Sequence, residues 1–220
     1  MAFTVPSPRA PLGDPAAPRA DSGGPALARW YEDELGWATA AGPPVQLVTG
    51  RRFDVLELPA TAGRGVLRRI GRETGPVALM GRRMRLLVAA GSAEELPGLL
   101  EWLEWGGISL DLATLGAEGR MTAPVPPGWR PTGRSGPGGA GAAVWLRAPE
   151  PGREVESSLP ALRPSSRGRA VPPCLTRLVA VAAAECHRAR LLSAARAHRP
   201  EPVAGTAAQQ RPTDQRFASS

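Results

Sequence analysis

The sequence predicts a single α/β domain of the α+β type, with a small, mainly antiparallel sheet, flanking helices, a further C-terminal helix and disordered tails. Three observations support this prediction. Short alternating runs separated by turn residues cluster in Arg51–Gly91, and apolar residues at helical spacing lie on both sides of that stretch. Proline and glycine concentrate at the two ends and in 124–141, which leaves a compact core of about 120 residues. We expect any functional site to lie in Arg51–Gly91.

The first half of the domain is predicted as helix, two strands and helix. Pro25–Gly36 carries a helical apolar stripe, with proline in the first turn and glycine where a helix ends. Val45–Val48 and Phe53–Leu58 are predicted strands, and the second alternates in polarity before Pro59 ends it. A short helix over Ala62–Arg72 follows, with its arginines mostly outward.

A hairpin and a second helix follow. Val77–Met80 and Met84–Ala89 are predicted strands around Gly81-Arg82-Arg83. Helical spacing predicts a helix over Gly91–Trp105. Ser92 has capping-box spacing for a start there, whereas Pro97 favours a start at Glu94 or Glu95.

The remaining elements are short strands and one long helix. Ile108–Leu112, Arg120–Ala123 and Ala143–Arg147 are predicted strands. Leu175–His198 is predicted to be a separate amphipathic helix whose apolar face has no obvious place in the domain. The organisation is therefore a disordered tail (1–24), the α/β domain (25–151), a Pro/Ser/Arg-rich linker (152–173), a helix (174–198) and a second disordered tail (199–220).

The chain is strongly basic, with a net charge of +7, which suits an anionic partner. All 27 basic residues are arginine, a bias that a GC-rich genome also produces without any function. No apolar run approaches the ~18 residues of a membrane span and no secretory signal is evident, so we expect a cytoplasmic protein without a membrane partner. Cys174 and Cys186 form neither a disulfide framework nor a zinc ligand set.

Three carboxylates on predicted strands are the candidates for metal-assisted catalysis. Asp54 and Glu57 are three residues apart, so a regular strand points them to opposite faces. Asp54 and Asp111 can meet if their strands are neighbours. The alternative is that all three are solvated strand-end or capping acids, with no metal site. His187 and His198 lie on the C-terminal helix, and no nucleophile or phosphate-loop motif is present.

Five arginines flank the predicted strands and are the candidates for nucleic-acid binding. One pair precedes the Phe53–Leu58 strand, and three others lie at the hairpin. If both groups lie on one side of the sheet, they form a patch that suits the phosphate backbone of DNA or RNA, or a nucleotide. The residues are Arg51, Arg52, Arg82, Arg83 and Arg85.

Over Ala26–Pro151 the order of elements resembles the N-terminal domain of bifunctional DNA primase/polymerases, in the archaeo-eukaryotic primase superfamily, and above all its actinobacterial members. The segments that carry this resemblance are FDVLELPATAG, GRRMRLLV, DLATLGAEGRMTAPVPP and AVWLRAPEP. The resemblance implies the family's fold. It also implies a site with metal-binding acids on the first of these strands, a phosphate-binding histidine at the hairpin and a third acid on a later strand.

The chain departs from that pattern at the residues that carry the chemistry. The family's two acids separated by one residue are missing, and Asp54 or Glu57 is the only remnant. Met84 stands near the histidine's place, while Asp111 matches the third acid. The resemblance therefore argues against polymerase activity, and Mg²⁺ or Mn²⁺ is implied only if catalysis survives.

Three functions remain open from the sequence. The first is a degenerate, non-catalytic primase/polymerase-like domain that binds nucleic acid or nucleotide through the arginines. The second is a protein-interaction or regulatory module whose partner binds Leu175–His198. The third is a residual metal-dependent nucleotidyltransferase that uses the remaining acids.

Overall fold

A computed structural model describes residues 24–129, 142–152, 154–162 and 174–197, and these ranges form a mixed α+β domain, as predicted. The predicted tails, apart from Gly24, and His198 lie outside the described residues. The helices are α1 (Gly24–Leu35), α2 (Ala60–Ile70), α3 (Ser92–Trp102) and α4 (Leu175–Ala197), with short 3-10 helices at Gly71–Thr74 and Val155–Ser158. The strands are β1 (Thr39–Ala40), β2 (Gln46–Val48), β3 (Phe53–Pro59), β4 (Val77–Met80), β5 (Arg83–Ala89), β6 (Ala113–Leu115), β7 (Arg120–Thr122) and β8 (Ala143–Arg147).

The larger sheet has five strands in the order β6-β3-β5-β4-β8, and every neighbouring pair is antiparallel. Strands β3 and β4 both pair with β5, which lies between them, so β3-α2-β4-β5-α3-β6 forms a split βαβ arrangement. A two-residue turn joins β4 to β5, with Gly81 at φ +56°, a backbone region that glycine adopts readily. Pro59 therefore faces Arg83 at one end of β3, and Phe53 faces Ala89 at the other.

Helices α2, α3 and α4 cover one face of this sheet. Leu58 and Leu86 from the strands pack with Val66 of α2 and with Leu178 and Val179 of α4 in one buried cluster. The prediction that the apolar face of the last helix has no place in the domain is therefore wrong. A helix that buries one side in the main core does not present that side to a partner.

Helices α2 and α4 approach each other closely. A Cβ atom added at Gly65 of α2 would overlap the carboxylate of Glu185 on α4. That carboxylate is itself buried and pairs with Arg69 at 2.8 Å. Glycine is therefore required at position 65 for α4 to lie against the domain.

The other face of the sheet packs against α1 and a second antiparallel sheet of three strands, in the order β1-β2-β7. Tyr31, Trp37 and Phe53 form its aromatic centre. The Tyr31 hydroxyl donates to the Pro124 carbonyl at 2.7 Å and accepts from the Trp145 indole N–H at 2.8 Å. Burial raises the pKa of Tyr31, so the phenol stays protonated in this network.

This second core also includes part of the predicted linker. Val155 and Leu159 lie within 152–173, yet both are buried in the cluster that holds Tyr31 and Phe53. Just beyond them, the Leu175 N–H at the start of α4 donates to the Ala161 carbonyl at 3.0 Å. The chain on both sides of the undescribed residues 163–173 is thus fixed to the domain.

The predicted strand Ile108–Leu112 is wrong, because the next strand begins only at Ala113. The carbonyls of this segment serve α4 rather than a strand ladder. Ser109 accepts from Arg190 at 2.6 Å, and Asp111 accepts from the Cys186 thiol at 3.6 Å. Asp111 therefore precedes β6 instead of lying on a strand.

Candidate functional site

Asp54 faces the helix layer of the sheet and is fully buried there. One carboxylate oxygen, Oδ2, accepts the Ala93 N–H in the first turn of α3 at 2.9 Å. Helix α3 follows Gly91, has no side-chain cap from that residue and begins at Ser92. A strand residue thus caps a helix nearly forty positions later, and the predicted capping box at Ser92 is not needed.

The environment of Asp54 disfavours its charge. Burial raises the pKa of this carboxyl above its ordinary value, although the Ala93 N–H opposes the shift. Its second oxygen, Oδ1, is buried without a hydrogen-bond partner in the described part of the chain. Asp54 therefore holds α3 against β3 and cannot act together with groups on the other face.

Glu57 lies on the opposite face of β3 and holds two arginines of β5. Its Oε1 pairs with Arg83 Nε at 3.0 Å, and its Oε2 pairs with Arg85 Nε at 2.7 Å. Arg85 stands directly across the strand pair from Glu57, which is the arrangement in which opposite charges attract most strongly in a sheet. Glu57 and Arg85 are both mostly buried, with side-chain exposures of 18% and 14%.

Asp111 joins this group through Arg83. Its Oδ1 pairs with Arg83 Nη1 at 2.6 Å. Because β6 pairs with β3 so that Ala113 faces Glu57, the chain just before β6 lies beside that end of β3. Burial lowers the pKa of the Arg83 guanidinium, but its hydrogen bonds to Asp111 and Glu57 outweigh burial and raise it. We call Glu57, Arg83, Arg85 and Asp111 the arginine–carboxylate network.

The structure answers the question of which predicted acids converge. Glu57 and Asp111 come together around one guanidinium, whereas Asp54 lies on the far face of the sheet. The expectation that Asp54 and Asp111 can meet is wrong, because β6 meets β3 at Glu57 rather than at Asp54. Asp54 and Glu57 do point to opposite faces, as their spacing predicts.

The divalent metal that the resemblance implies does not fit these residues. Each acid on the open face already bonds an arginine, so a metal ion would have to displace a cation held at 2.6 to 3.0 Å. Within the described ranges, no three His, Cys, Asp or Glu residues are grouped so that they could hold a metal ion. Two carboxylates that share a guanidinium are a charge-balanced pair rather than an ion cage.

The two groups of predicted binding arginines do not form one patch. Arg51 and Arg52 precede Phe53, while Arg82 and Arg83 lie at the Pro59 end of the same strand. Six residue steps of extended chain separate these ends by about 20 Å. Arg52 also pairs with Glu156 at 2.8 Å. Arg82 is exposed at the hairpin tip and has no ion pair with any described residue.

Cysteine and histidine on α4 do not add a nucleophile. Burial raises the pKa of the Cys186 thiol to about 12, which keeps the sulfur protonated and unreactive near neutral pH. His187 packs against Trp105 with ring centroids 5.7 Å apart. The two side chains serve the packing of α4 against the chain around Asp111.

The sequence did not identify Arg83 and Arg85 as partners of Glu57. Alternation along Phe53–Pro59 and the hairpin signal at Gly81 place all three residues in paired strands. Which arginine faces Glu57 depends on the register of β3 against β5, and these strands are joined through α2 and β4 rather than by a turn. No local signal sets that register, so this pairing came from the structure.

Two substitutions at Asp54 test its capping role. Asp54→Ala leaves the Ala93 N–H without its acceptor, and we expect a loss of about 1–3 kcal/mol in the free energy of unfolding. Asp54→Asn keeps an acceptor and should lose less. Denaturant unfolding followed by circular dichroism measures both values, and equal losses would contradict the capping role.

The pH dependence of the Asn variant tests the burial of the charge. Because the folded pKa of Asp54 is raised, its contribution is fully present below the unfolded pKa and is lost as pH rises through the folded value. The difference in unfolding free energy between Asp54→Asn and the unaltered chain should therefore shift in favour of Asn between about pH 3 and pH 7. A difference that does not change with pH would contradict this assignment.

Comparison with known proteins gives no relative: no protein-family model, curated protein or solved structure matches this chain. The resemblance to the primase/polymerase domain therefore stays a prediction. In the described part of the chain, no helix has both the length and the apolar character to cross a membrane.

Proposed function

We propose that this chain is a degenerate primase/polymerase-like domain that binds nucleic acid or nucleotide through arginines at the β4–β5 hairpin and does not synthesise DNA. One observation carries the proposal. The open part of the sheet face, where the resemblance expects metal-binding acids, carries Arg83 and Arg85 bonded to the two remaining acids. Cationic side chains occupy the face that would have carried the chemistry.

The geometry of the two guanidinium groups supports phosphate binding. Each guanidinium has five N–H donors, and Glu57 engages both groups through Nε. Arg83 Nη1 also donates to Asp111, and Arg85 Nη1 lies 3.5 Å from the Met80 sulfur. Both arginines are thus held in fixed positions with further N–H groups left for a planar, two-point contact with phosphate.

Net attraction for an anion comes from Arg82. Within the network, two arginines balance two carboxylates, so these four residues carry no net charge. Arg82 adds an unpaired positive charge at the tip of the hairpin, next to Arg83 in sequence. Unpaired arginine beside held guanidinium groups provides both long-range attraction and a defined contact.

The other two functions lose their motives. Residual nucleotidyl transfer needs carboxylates that share a metal ion, and the remaining acids share Arg83 instead. An interaction module on the last helix needs an apolar face that the domain does not use, and that face lies in the main core. We therefore propose neither. Primer synthesis that required Asp111 and was lost in Asp111→Ala would restore the catalytic function.

Binding of a fluorescently labelled single-stranded oligonucleotide at increasing NaCl concentration tests the proposal. We expect Arg82→Gln to weaken binding and to reduce the slope of log affinity against log salt by about 0.7, the value for one single-strand phosphate contact. Arg51→Gln removes the same charge from the opposite end of β3 and should leave the slope unchanged. A nucleoside triphosphate added as competitor shows whether free nucleotide occupies the same place.

Two results would contradict the proposal. One is the absence of binding at low salt by the unaltered chain. The other is equal weakening by Arg82→Gln and Arg51→Gln, because net charge alone, rather than the hairpin, would then account for the affinity.

A further inference from the structure

The outer side of α2 carries a row of arginines that the fold does not use. Arg64 and Arg68 are one helical turn apart on this side, and Arg72 follows in the 3-10 helix that continues from α2. All three are exposed, and none forms an ion pair with a described residue. Other arginines nearby do find partners: Arg69 pairs with Glu185 and Arg177 with Glu73, at 2.8 and 2.7 Å.

This row begins at the proposed binding hairpin. The N–H of Ala60, the first residue of α2, donates to the Arg82 carbonyl at 2.8 Å, so the hairpin tip lies against the first turn of the helix. Arg64 lies one turn further along α2. Arg82, Arg64, Arg68 and Arg72 thus follow one another across the surface, and we call them the arginine row.

The row is unfavourable for the helix itself. Like charges four residues apart on a helix repel each other, and the first turns of a helix favour acidic over basic side chains. Helix α2 has no acidic residue that could offset this repulsion. At the far end of the row, Arg72 also lies close enough to Arg147 to help burial lower the pKa of that guanidinium.

We propose that the arginine row is a track for the phosphodiester backbone of nucleic acid, which runs from the hairpin along the outer side of α2. The inference rests on the proposed function and extends it from a local contact to a strand several nucleotides long. Cβ atoms one helical turn apart are about 5–6 Å from each other, so consecutive arginines reach different phosphates of one strand. Such contacts are independent of base sequence.

The chemistry of the row selects among anionic partners. The apolar side of α2, with Val66 and Ile70, is buried in the main core, so the row has no apolar anchor for a membrane surface or a protein hot spot. A free nucleotide is too short to lie along the row and would contact only the hairpin end. A continuous polyphosphate strand is the partner that uses all of it.

Charge reversal at Arg64 separates binding from folding. In Arg64→Glu, the new carboxylate stands four residues before Arg68 and near the N-terminus of α2, where both features favour a helix. We therefore expect an unchanged or higher Tm. Affinity for a single strand of about 20 nucleotides should fall about tenfold or more at about 50 mM NaCl. Affinity for a nucleoside triphosphate should stay within about threefold, because the hairpin is intact.

The matched control is Arg29→Glu. Arg29 is an exposed arginine of α1, on the other side of the five-stranded sheet, and it too has no ion pair with a described residue. The control changes the net charge by the same amount. If Arg64→Glu lowers the Tm, Arg64→Gln and Arg68→Gln replace it and are each compared with Arg29→Gln.

Each outcome decides the inference. Loss of strand affinity in Arg64→Glu with little change in Arg29→Glu supports the track. Equal losses in both, no loss in Arg64→Glu, or equally tight binding of poly-glutamate by the unaltered chain overturns it. If Arg82→Gln still weakens binding while Arg64→Glu does not, the proposed function stands and only the track is overturned.

Discussion

Leu178→Ala is expected to lower the free energy of unfolding by about 2–5 kcal/mol, the range for removing a large aliphatic side chain from a packed core. Leu178 of α4 is 1% exposed and lies in the cluster that joins α2, α3 and the sheet. The matched control is Leu192→Ala on the same helix. Leu192 is 54% exposed, so the same change should alter stability by less than about 0.5 kcal/mol.

Urea unfolding followed by circular dichroism measures both values. The large loss at Leu178 has a further consequence, because α4 would then be part of the folding unit. Removal of the chain from residue 174 onward should unfold the domain rather than change its partners. Equal, small effects of Leu178→Ala and Leu192→Ala would contradict this packing and would return α4 to the role of a separate interaction helix.

Glu57→Ala is the second substitution with a large expected effect. It removes the only acid that bonds both Arg83 and Arg85. Arg85 is mostly buried and would lose its carboxylate, while Arg83 keeps Asp111. We expect a loss of about 2–3 kcal/mol, less than for a fully buried pair because part of the network reaches solvent.

Asp111→Ala is the control for the Glu57 substitution. The Asp111 side chain is 64% exposed, and an exposed ion pair contributes at most about 1 kcal/mol. The double variant Glu57→Met, Arg85→Met should recover part of the stability lost in Glu57→Ala, since an apolar pair often replaces a buried ion pair without loss. Thermal unfolding of the three variants provides the comparison.

The stability result also bears on function. A catalytic acid often leaves stability unchanged or higher when it is removed, because active sites carry strain and unbalanced charge. Glu57 has a different environment, with an arginine on each oxygen. A gain in stability for Glu57→Ala would contradict the account that Glu57 positions the arginines and would favour a catalytic remnant.

Local sequence signals predicted much of the fold. The hairpin at Gly81, the strand that begins at Phe53 and the helices α1 and α2 are within a few residues of their predicted bounds. Alternation along β3 also placed Asp54 and Glu57 on opposite faces, because side chains in a strand alternate strictly. These are short-range properties that depend only on neighbouring residues.

The site itself depends on contacts between distant residues. Glu57 and Arg85 meet through strand register, and Asp54 caps a helix that begins at Ser92. The apolar stripe of α4 was visible in the sequence, but its docking against Gly65 was not. Such pairings follow from how whole elements pack, and a single sequence contains no local pattern that specifies them.

Titration of the unaltered chain with labelled single-stranded DNA, in EDTA and over a range of NaCl concentrations, tests the central claim most directly. The claim is that arginines at the hairpin bind phosphate without a metal ion. The account predicts saturable binding at about 50 mM NaCl that persists in EDTA, with log affinity falling linearly as log salt rises. No binding at low salt, or binding that EDTA abolishes, would contradict it.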